Sequence, residues 1–208
     1  MKALALNCTL KASPETSNTE ALARVVLEAL GEEGVETEIV RVVDHEVRPG
    51  VTSDEGDGDQ WPQIRDKVLG AEILVFATPT WLGRPSSVAQ RVLERMDAML
   101  SEQDDDGRPV AFNRVAGVVV TGNEDGAHHV ISEVCGGLID IGSRFPGRPG
   151  RTGTAARARA TTTSTAMRAR TGRIPPAAPR LRTCCRWRGR GRAADPAAAV
   201  VVLRGPGP

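Results

Sequence analysis

No stretch of this chain is apolar for long enough to cross a bilayer, which takes about 20 residues of helix, and this argues against a membrane-spanning protein. Met1 to Leu6 carries neither the charged segment nor the small-residue cleavage site of a secretory signal, and it runs straight into a patterned domain. The four cysteines, Cys8, Cys135, Cys184 and Cys185, match no zinc or redox CxxC spacing, and a disulfide framework does not suit this context. Cys8 and Cys135 read as small buried apolar residues. A cytoplasmic protein is the expectation.

Each end of the chain is short of one sign of charge. Residues 1–140 hold 25 Asp/Glu against 12 Lys/Arg, a balance of −13, whereas residues 141–208 hold 15 Arg, no lysine and the single acid Asp195, a balance of +14. The overall charge of +1 is therefore the sum of two unlike parts. At 208 residues the chain suits one domain with an appendage, and its first 140 residues are enough to bury a substantial core.

What is present in that first part is an ordered alternation. Ala3-Leu4-Ala5-Leu6 is a short apolar run, and Ala21, Leu22, Val25, Val26, Ala29 and Leu30 then recur at helical spacing up to Gly31. Val35 to Val43 predicts a strand, Ser53 to Asp59 a loop, and Trp61 to Leu69 a helix opened by Pro62. Ile73 to Ala77 and Val115 to Thr121 are continuously apolar, as strands covered on both faces should be. Ala89, Val92, Leu93, Met96 and Leu100 mark one further helix; Val130, Ile131, Val134, Cys135 and Leu138 mark another. This order, β-α-β-α-β-α-β-α, predicts an α/β fold: a doubly wound parallel sheet in three layers.

Ligands of such sheets bind beyond the carboxyl ends of the strands, and three loops lie there. The first, Asn7 to Thr19, is rich in hydroxyls, carries Lys11 and leads into a helix, which suits a terminal phosphate. It contains neither the glycine-rich dinucleotide fingerprint nor a Walker loop. Ser17 with Glu20 also fits a plain capping box. The second, Thr78 to Ser87, sets Trp81 between two prolines, either as a wall for a flat ring or as packing against the sheet edge. The third, Thr121 to His129, has two glycines that permit close backbone approach. His128 and His129 point about 100° apart on a helix, so they are poorly placed to share a metal ion. The acidic runs Asp54 to Asp59 and Asp104 to Asp106 fail the calcium-loop pattern, with Arg65 and Val115 where the closing acid belongs, and read as solvated loops.

Taken together, the hydroxyl-rich first loop, Pro79-Thr80-Trp81-Leu82-Gly83 with Ser86, and Thr121-Gly122-Asn123 resemble the flavodoxin-like NADPH-dependent FMN reductase family. The resemblance covers residues 1–142 and departs at Asn7-Cys8, where the family usually has Gly-Ser. It implies FMN as cofactor, with Thr9, Lys11, Ser17, Asn18 and Thr19 around its phosphate. It places Pro79, Thr80, Trp81, Leu82 and Gly83 along the ring, and Thr121, Gly122, Asn123 and Gly126 opposite. NADPH or NADH would deliver hydride to the flavin, which would pass electrons to a quinone, free flavin or similar small-molecule acceptor, with no catalytic side chain required. A flavodoxin-like electron carrier without nicotinamide activity is the nearest rival. A homo-oligomer is compatible with the sequence, and no metal is expected.

The implied fold needs a fifth strand and a last helix, but residues 143–208 offer an atypical tail of Arg, Ala, Gly, Pro and Thr. One reading is a disordered basic tail that binds nucleic acid, loosely supported by Arg186-Trp187-Arg188-Gly189-Arg190. The preferred one is a reading-frame shift near codon 142 of a GC-rich gene, since such frames over-produce Arg, Ala, Gly and Pro and lose Lys, Glu and Tyr. If each restored codon takes the last base of one codon and the first two of the next, Cys184–Cys185 becomes Leu. Each Thr-Thr junction at 161–163 becomes Tyr, His, Asn or Asp. A sheet missing its fifth strand would leave the fourth as an unprotected edge.

Overall fold

Lys2–Asn7 forms the first strand, β1, and every residue from Ala3 to Asn7 is buried, as befits a central strand covered on both faces. The computed structural model describes residues 1–145 in full and, beyond them, the backbone of residues 161–162 and 201–204. In chain order the elements are β1, α1 (Asn18–Glu32), β2 (Glu36–Arg41), α2 (Trp61–Leu69), β3 (Ile73–Trp81), β4 (Arg84–Pro85), α3 (Ser87–Met96), β5 (Val115–Gly122) and α4 (Ala127–Asp140), followed by β6 (Thr161–Thr162) and β7 (Val201–Arg204). The sheet runs β2-β1-β3-β5-β7-β6, with β4 paired to the end of β3. The main strands are parallel, and the chain steps from β1 to β2 on one side and to β3 on the other. That reversal opens a crevice between the carboxyl ends of β1 and β3. The fold is therefore the flavodoxin-like, doubly wound sheet expected from the sequence.

Two cores flank the sheet. Ile64, Val68, Val92, Met96, Val130, Val134 and Leu138 from α2, α3 and α4 meet Leu4, Leu6, Leu74, Phe76, Val118 and Val120 on one face. On the other, Leu22, Ala23 and Leu27 of α1 meet Ala3, Ala5, Ile73, Val75, Ala77 and Val119. Each large side chain so buried contributes about 1.5–3 kcal/mol relative to exposure. Among the described helices, α1 stands alone on its face.

Three local features differ from the sequence expectation. β3 continues past Ala77, because Thr78 and Pro79 still pair with Val120 and Thr121 of β5. Thr80 and Trp81 then pair back onto Pro85 and Arg84 around Leu82 and Gly83, whose φ values of 49° and 73° make a tight hairpin turn. Leucine rarely adopts that conformation, so the pattern gave no hairpin signal. The acidic stretch 54–59 is also not wholly solvated. The side chains of Asp59 and Arg95 are both fully buried and meet at 2.6 Å, with the Arg95 guanidinium 6.0 Å from the Trp61 ring centroid. Burial pushes the Asp59 carboxyl up, but the amides of Glu55, Trp61 and Arg48 and the charge of Arg95 outweigh it and leave it below the usual range.

On the outer side of β5, Arg144 bridges to Val115 and Val201–Arg204 pairs with Val119 to Gly122. The sequence reading left this edge without a fifth strand. The remainder of the tail, with its expected disorder, nucleic-acid binding and reading frame, lies outside the described residues.

Candidate functional site

The first loop is shaped by cations that capture its carbonyl groups. Arg41, at the end of β2, donates through Nη1 to Glu15 O at 2.9 Å and Lys11 O at 3.4 Å, and the Lys11 ammonium folds back onto Thr16 O at 3.2 Å. Short side chains fix the rest. Asn7 Oδ1 accepts from Thr9 N, Thr9 Oγ1 accepts from Lys11 N, and Ser13 donates through N and Oγ to Asp44. Ser17 caps α1 by accepting from Glu20 N at 3.1 Å. The first-turn amides of Asn18 and Thr19 have no partner within the helix. They carry the partial positive charge of the helix end, which favours an anion there.

The capping box is only half made. Instead of reaching back to Ser17, the Glu20 carboxylate accepts from Arg41 Nε and Nη2 at 3.0 and 2.5 Å, from Arg24 Nε and Nη2 at 3.0 and 2.6 Å, and from Asn7 Nδ2 at 3.2 Å. The Arg41 hydrogen bonds, with Arg24 adding to them, hold the Glu20 carboxyl below its usual range. No sequence signal tied Arg41 to this loop, because strand pairing of β2 beside β1 is what brings the two together.

All three loops are joined at the switch point. Cys8 N donates to Ala77 O at 2.8 Å, and Ser86 Oγ donates to Cys8 O at 2.6 Å while capping α3. The Thr19 and Thr121 hydroxyls are 2.7 Å apart, which ties the start of α1 to the end of β5. Gly83 N donates to Glu124 Oε1 at 3.3 Å. The backbones of the second and third loops touch where both residues are glycine: a Cβ added to Gly126 would lie 2.4 Å from Gly83 Cα. At Gly122 it would lie 2.2 Å from Thr80 Cγ2.

The individual positions divide by exposure. Thr9, Ser17, Thr19, Pro79 and Thr80 are buried, Thr121, Gly122, Gly83 and Gly126 are half-buried, and Lys11, Asn18 and Asn123 are exposed. Trp81 is 54% exposed and Leu82 94% exposed, so Trp81 does not act as packing against the sheet edge. The Thr80 hydroxyl is buried, and it has no hydrogen-bond partner among the described residues. His128 and His129 are exposed, with His129 Nε2 3.3 Å from Glu133. Among the described residues no cluster of three or more His, Cys, Asp or Glu could hold a metal ion. Burial pushes the Cys8 thiol up and the Cys135 thiol up to about 11, so both stay protonated and unreactive near neutral pH. Among the described residues no helix is long and apolar enough to cross a membrane.

Comparison with known proteins agrees with this fold. The chain is 38% identical over 155 residues to 8-demethyl-8-aminoriboflavin-5'-phosphate synthase of Streptomyces davaonensis, a match covering 70% of this chain and 60% of that protein. It is also 39% identical over 150 residues to a Mycobacterium bovis protein named divalent metal cation transporter MntH, covering 70% of this chain and 22% of that one. The chain thus spans less than two thirds of either relative. The crystal structure of RosB with bound 8-demethyl-8-formylriboflavin-5'-phosphate superposes with a TM-score of 0.65 at 38% identity, over 70% of this chain and 62% of that one. Residues 1–135 match the model of the NADPH-dependent FMN reductases, and this chain belongs to that family.

Proposed function

We propose that this chain is the FMN-binding part of an oxidoreductase that moves electrons from NAD(P)H through flavin to a quinone, free flavin or similar acceptor. The observation that carries this reading is the joining of three loops at the switch point of the sheet, through Cys8 N to Ala77 O, Ser86 Oγ to Cys8 O and the Thr19–Thr121 hydroxyl pair. The residues suit FMN. Thr9, Ser17 and the amides of Asn18 and Thr19 offer hydrogen-bond donors to a phosphate, and the Trp81 indole offers a face to a planar ring. Gly122 and Gly126 let the second and third loops pack together, Gly122 against Thr80 and Gly126 against Gly83. Bound FMN supplies the electron-transfer chemistry, and the protein supplies binding and orientation. No side chain is given a proton-transfer role.

The 38% identity to a protein named for synthesis of a riboflavin 5'-phosphate derivative favours a second reading. In it, the flavin phosphate is a substrate of the same loops rather than a resident cofactor. One experiment separates the readings: titrate the purified protein with FMN, follow NADPH oxidation with a quinone, then recover the flavin for mass analysis. Bound flavin, quinone-dependent NADPH oxidation and an unchanged flavin mass are expected. An altered mass favours the second reading. Bound flavin without NADPH oxidation favours an electron carrier, and no flavin binding ends all three.

For residues 143–208 the same family reading supports a shifted frame near codon 142. Read across codon boundaries, the Arg144–Phe145 junction encodes Phe, Leu, Ile or Val whatever codon Arg144 uses. The Gly142–Ser143 junction does the same if Ser143 uses a TCN codon. Apolar residues two apart continue a strand pattern at the point where Arg144 pairs with Val115. The gene's nucleotide sequence decides this: a one-base insertion or deletion there is expected, and relatives with the same tail intact in frame would overturn it.

A further inference from the structure

We propose that Arg41 is a positioning residue for the phosphate: it shapes the first loop and neutralises Glu20, without itself needing to touch the ligand. The inference rests on the FMN reading and deepens it. Arg41 leaves 14% of its side chain exposed and Glu20 16%, so both work largely out of water. One edge of the Arg41 guanidinium, Nε and Nη2, is spent on Glu20 Oε2, while Nη1 reaches the carbonyls of Glu15 and Lys11.

Two consequences follow for an anion at the start of α1. First, Arg41 and Lys11 take up the carbonyls of Glu15, Lys11 and Thr16, so these are not left unpaired in the loop that leads into α1. The first-turn amides of Asn18 and Thr19, which have no partner within the helix, then offer the donors an anion requires. Second, Glu20 sits in the first turn of α1, where an unneutralised carboxylate would repel a phosphate. Arg24 and Arg41 together over-compensate it, leaving the three-residue cluster with a net charge of +1. Asn7 Nδ2 completes the set from β1, so the carboxylate cannot swing toward the ligand.

Lysine cannot reproduce this arrangement. A point charge on a flexible stem reaches either the carboxylate or the carbonyls, whereas the rigid guanidinium fork serves both at once. Arg41→Lys is therefore expected to behave more like Arg41→Gln than like the parent.

The test compares FMN with riboflavin, which has the same ring and no phosphate. Affinities for both are measured by flavin fluorescence titration in the full chain and in Arg41→Gln, Arg41→Lys and Glu20→Gln. The parent is expected to prefer FMN, and Arg41→Gln to lose about tenfold of that preference with riboflavin affinity unchanged. Arg41→Lys recovers at most a small part of it. Glu20→Gln, which keeps the shape and removes the negative charge beside the site, moves the preference the other way, toward FMN. An unchanged FMN-to-riboflavin ratio in Arg41→Gln overturns the proposal, as does equal loss of both ligands or full rescue by lysine. A parent chain that binds neither flavin, or binds both alike, instead removes the FMN reading and this proposal with it.

Discussion

The phosphate end of the candidate site is braced by charged side chains, whereas its ring end is held by backbone against backbone. Glu20, Arg24, Arg41 and Lys11 shape the first loop through hydrogen bonds. Gly126 lets the other two loops touch, since a Cβ there would collide with Gly83. The difference teaches that two ends of one candidate site can answer to different disturbances. The first end responds to charge, salt and acid, and the second to volume.

The largest expected effect comes from adding volume at the ring end. Gly126 has φ 114° and its Cβ position lies 2.4 Å from Gly83 Cα, so Gly126→Val must push the loops apart. Strain and overpacking together should cost about 3 kcal/mol of stability in urea unfolding. Binding of FMN and riboflavin should be lost together, and retention of either would break the contrast.

Next in size is Thr80→Val, which replaces the unpartnered hydroxyl with a methyl group of similar shape. Removing an unsatisfied buried group should leave the flavin-free protein as stable or about 1 kcal/mol more stable. Because protein shields Oγ1 from any ligand, affinity for FMN and riboflavin should stay within about twofold of the parent. A less stable flavin-free protein would show that the hydroxyl already has a partner.

Acid should disturb the first end through Glu20. Glu20 has its carboxyl held below the ordinary 4.5 by Arg41 and Arg24, so its charged form is favoured in the folded chain. Its stabilisation is fully present above pH 4.5 and is lost as pH falls through the lower, folded value. Urea unfolding at pH 7 and pH 4 should therefore show a larger acid-induced loss in the parent than in Glu20→Gln. Equal losses would remove Glu20 from the account.

The smallest change is Lys11→Ala. Lys11 is exposed and holds one carbonyl, so its loss should cost about 0.5 kcal/mol or less and should shrink further at high salt. An effect of more than tenfold on FMN affinity would move Lys11 from loop brace to direct phosphate contact.

Much of this architecture was legible in the residues themselves. The helix Trp61–Leu69 announces itself through Pro62 at its first turn, and Ser17 and Ser86 cap α1 and α3 as their positions suggest. Covered strands betray themselves as unbroken apolar runs, as in Ile73 to Ala77. From sequence Asp59 reads as a solvated acid, because no neighbour in the chain supplies the buried cation that it meets in the fold. Its partner Arg95 arrives from α3, 36 residues on. The hairpin at Leu82 was missed for a related reason, since a leucine at positive φ is held there by pairing across β3 and β4 rather than by its own preference.

Sequence alone determined the alternation of strands and helices, the helix caps and the three loops that follow the strands, because periodicity, capping and turn chemistry act over a few neighbouring residues. Only the tertiary structure decided that Arg41 shapes a loop about 25 residues before it, that Thr19 meets Thr121, and that Gly126 touches Gly83. Those contacts depend on the order in which parallel strands lie side by side, and no local pattern records that order.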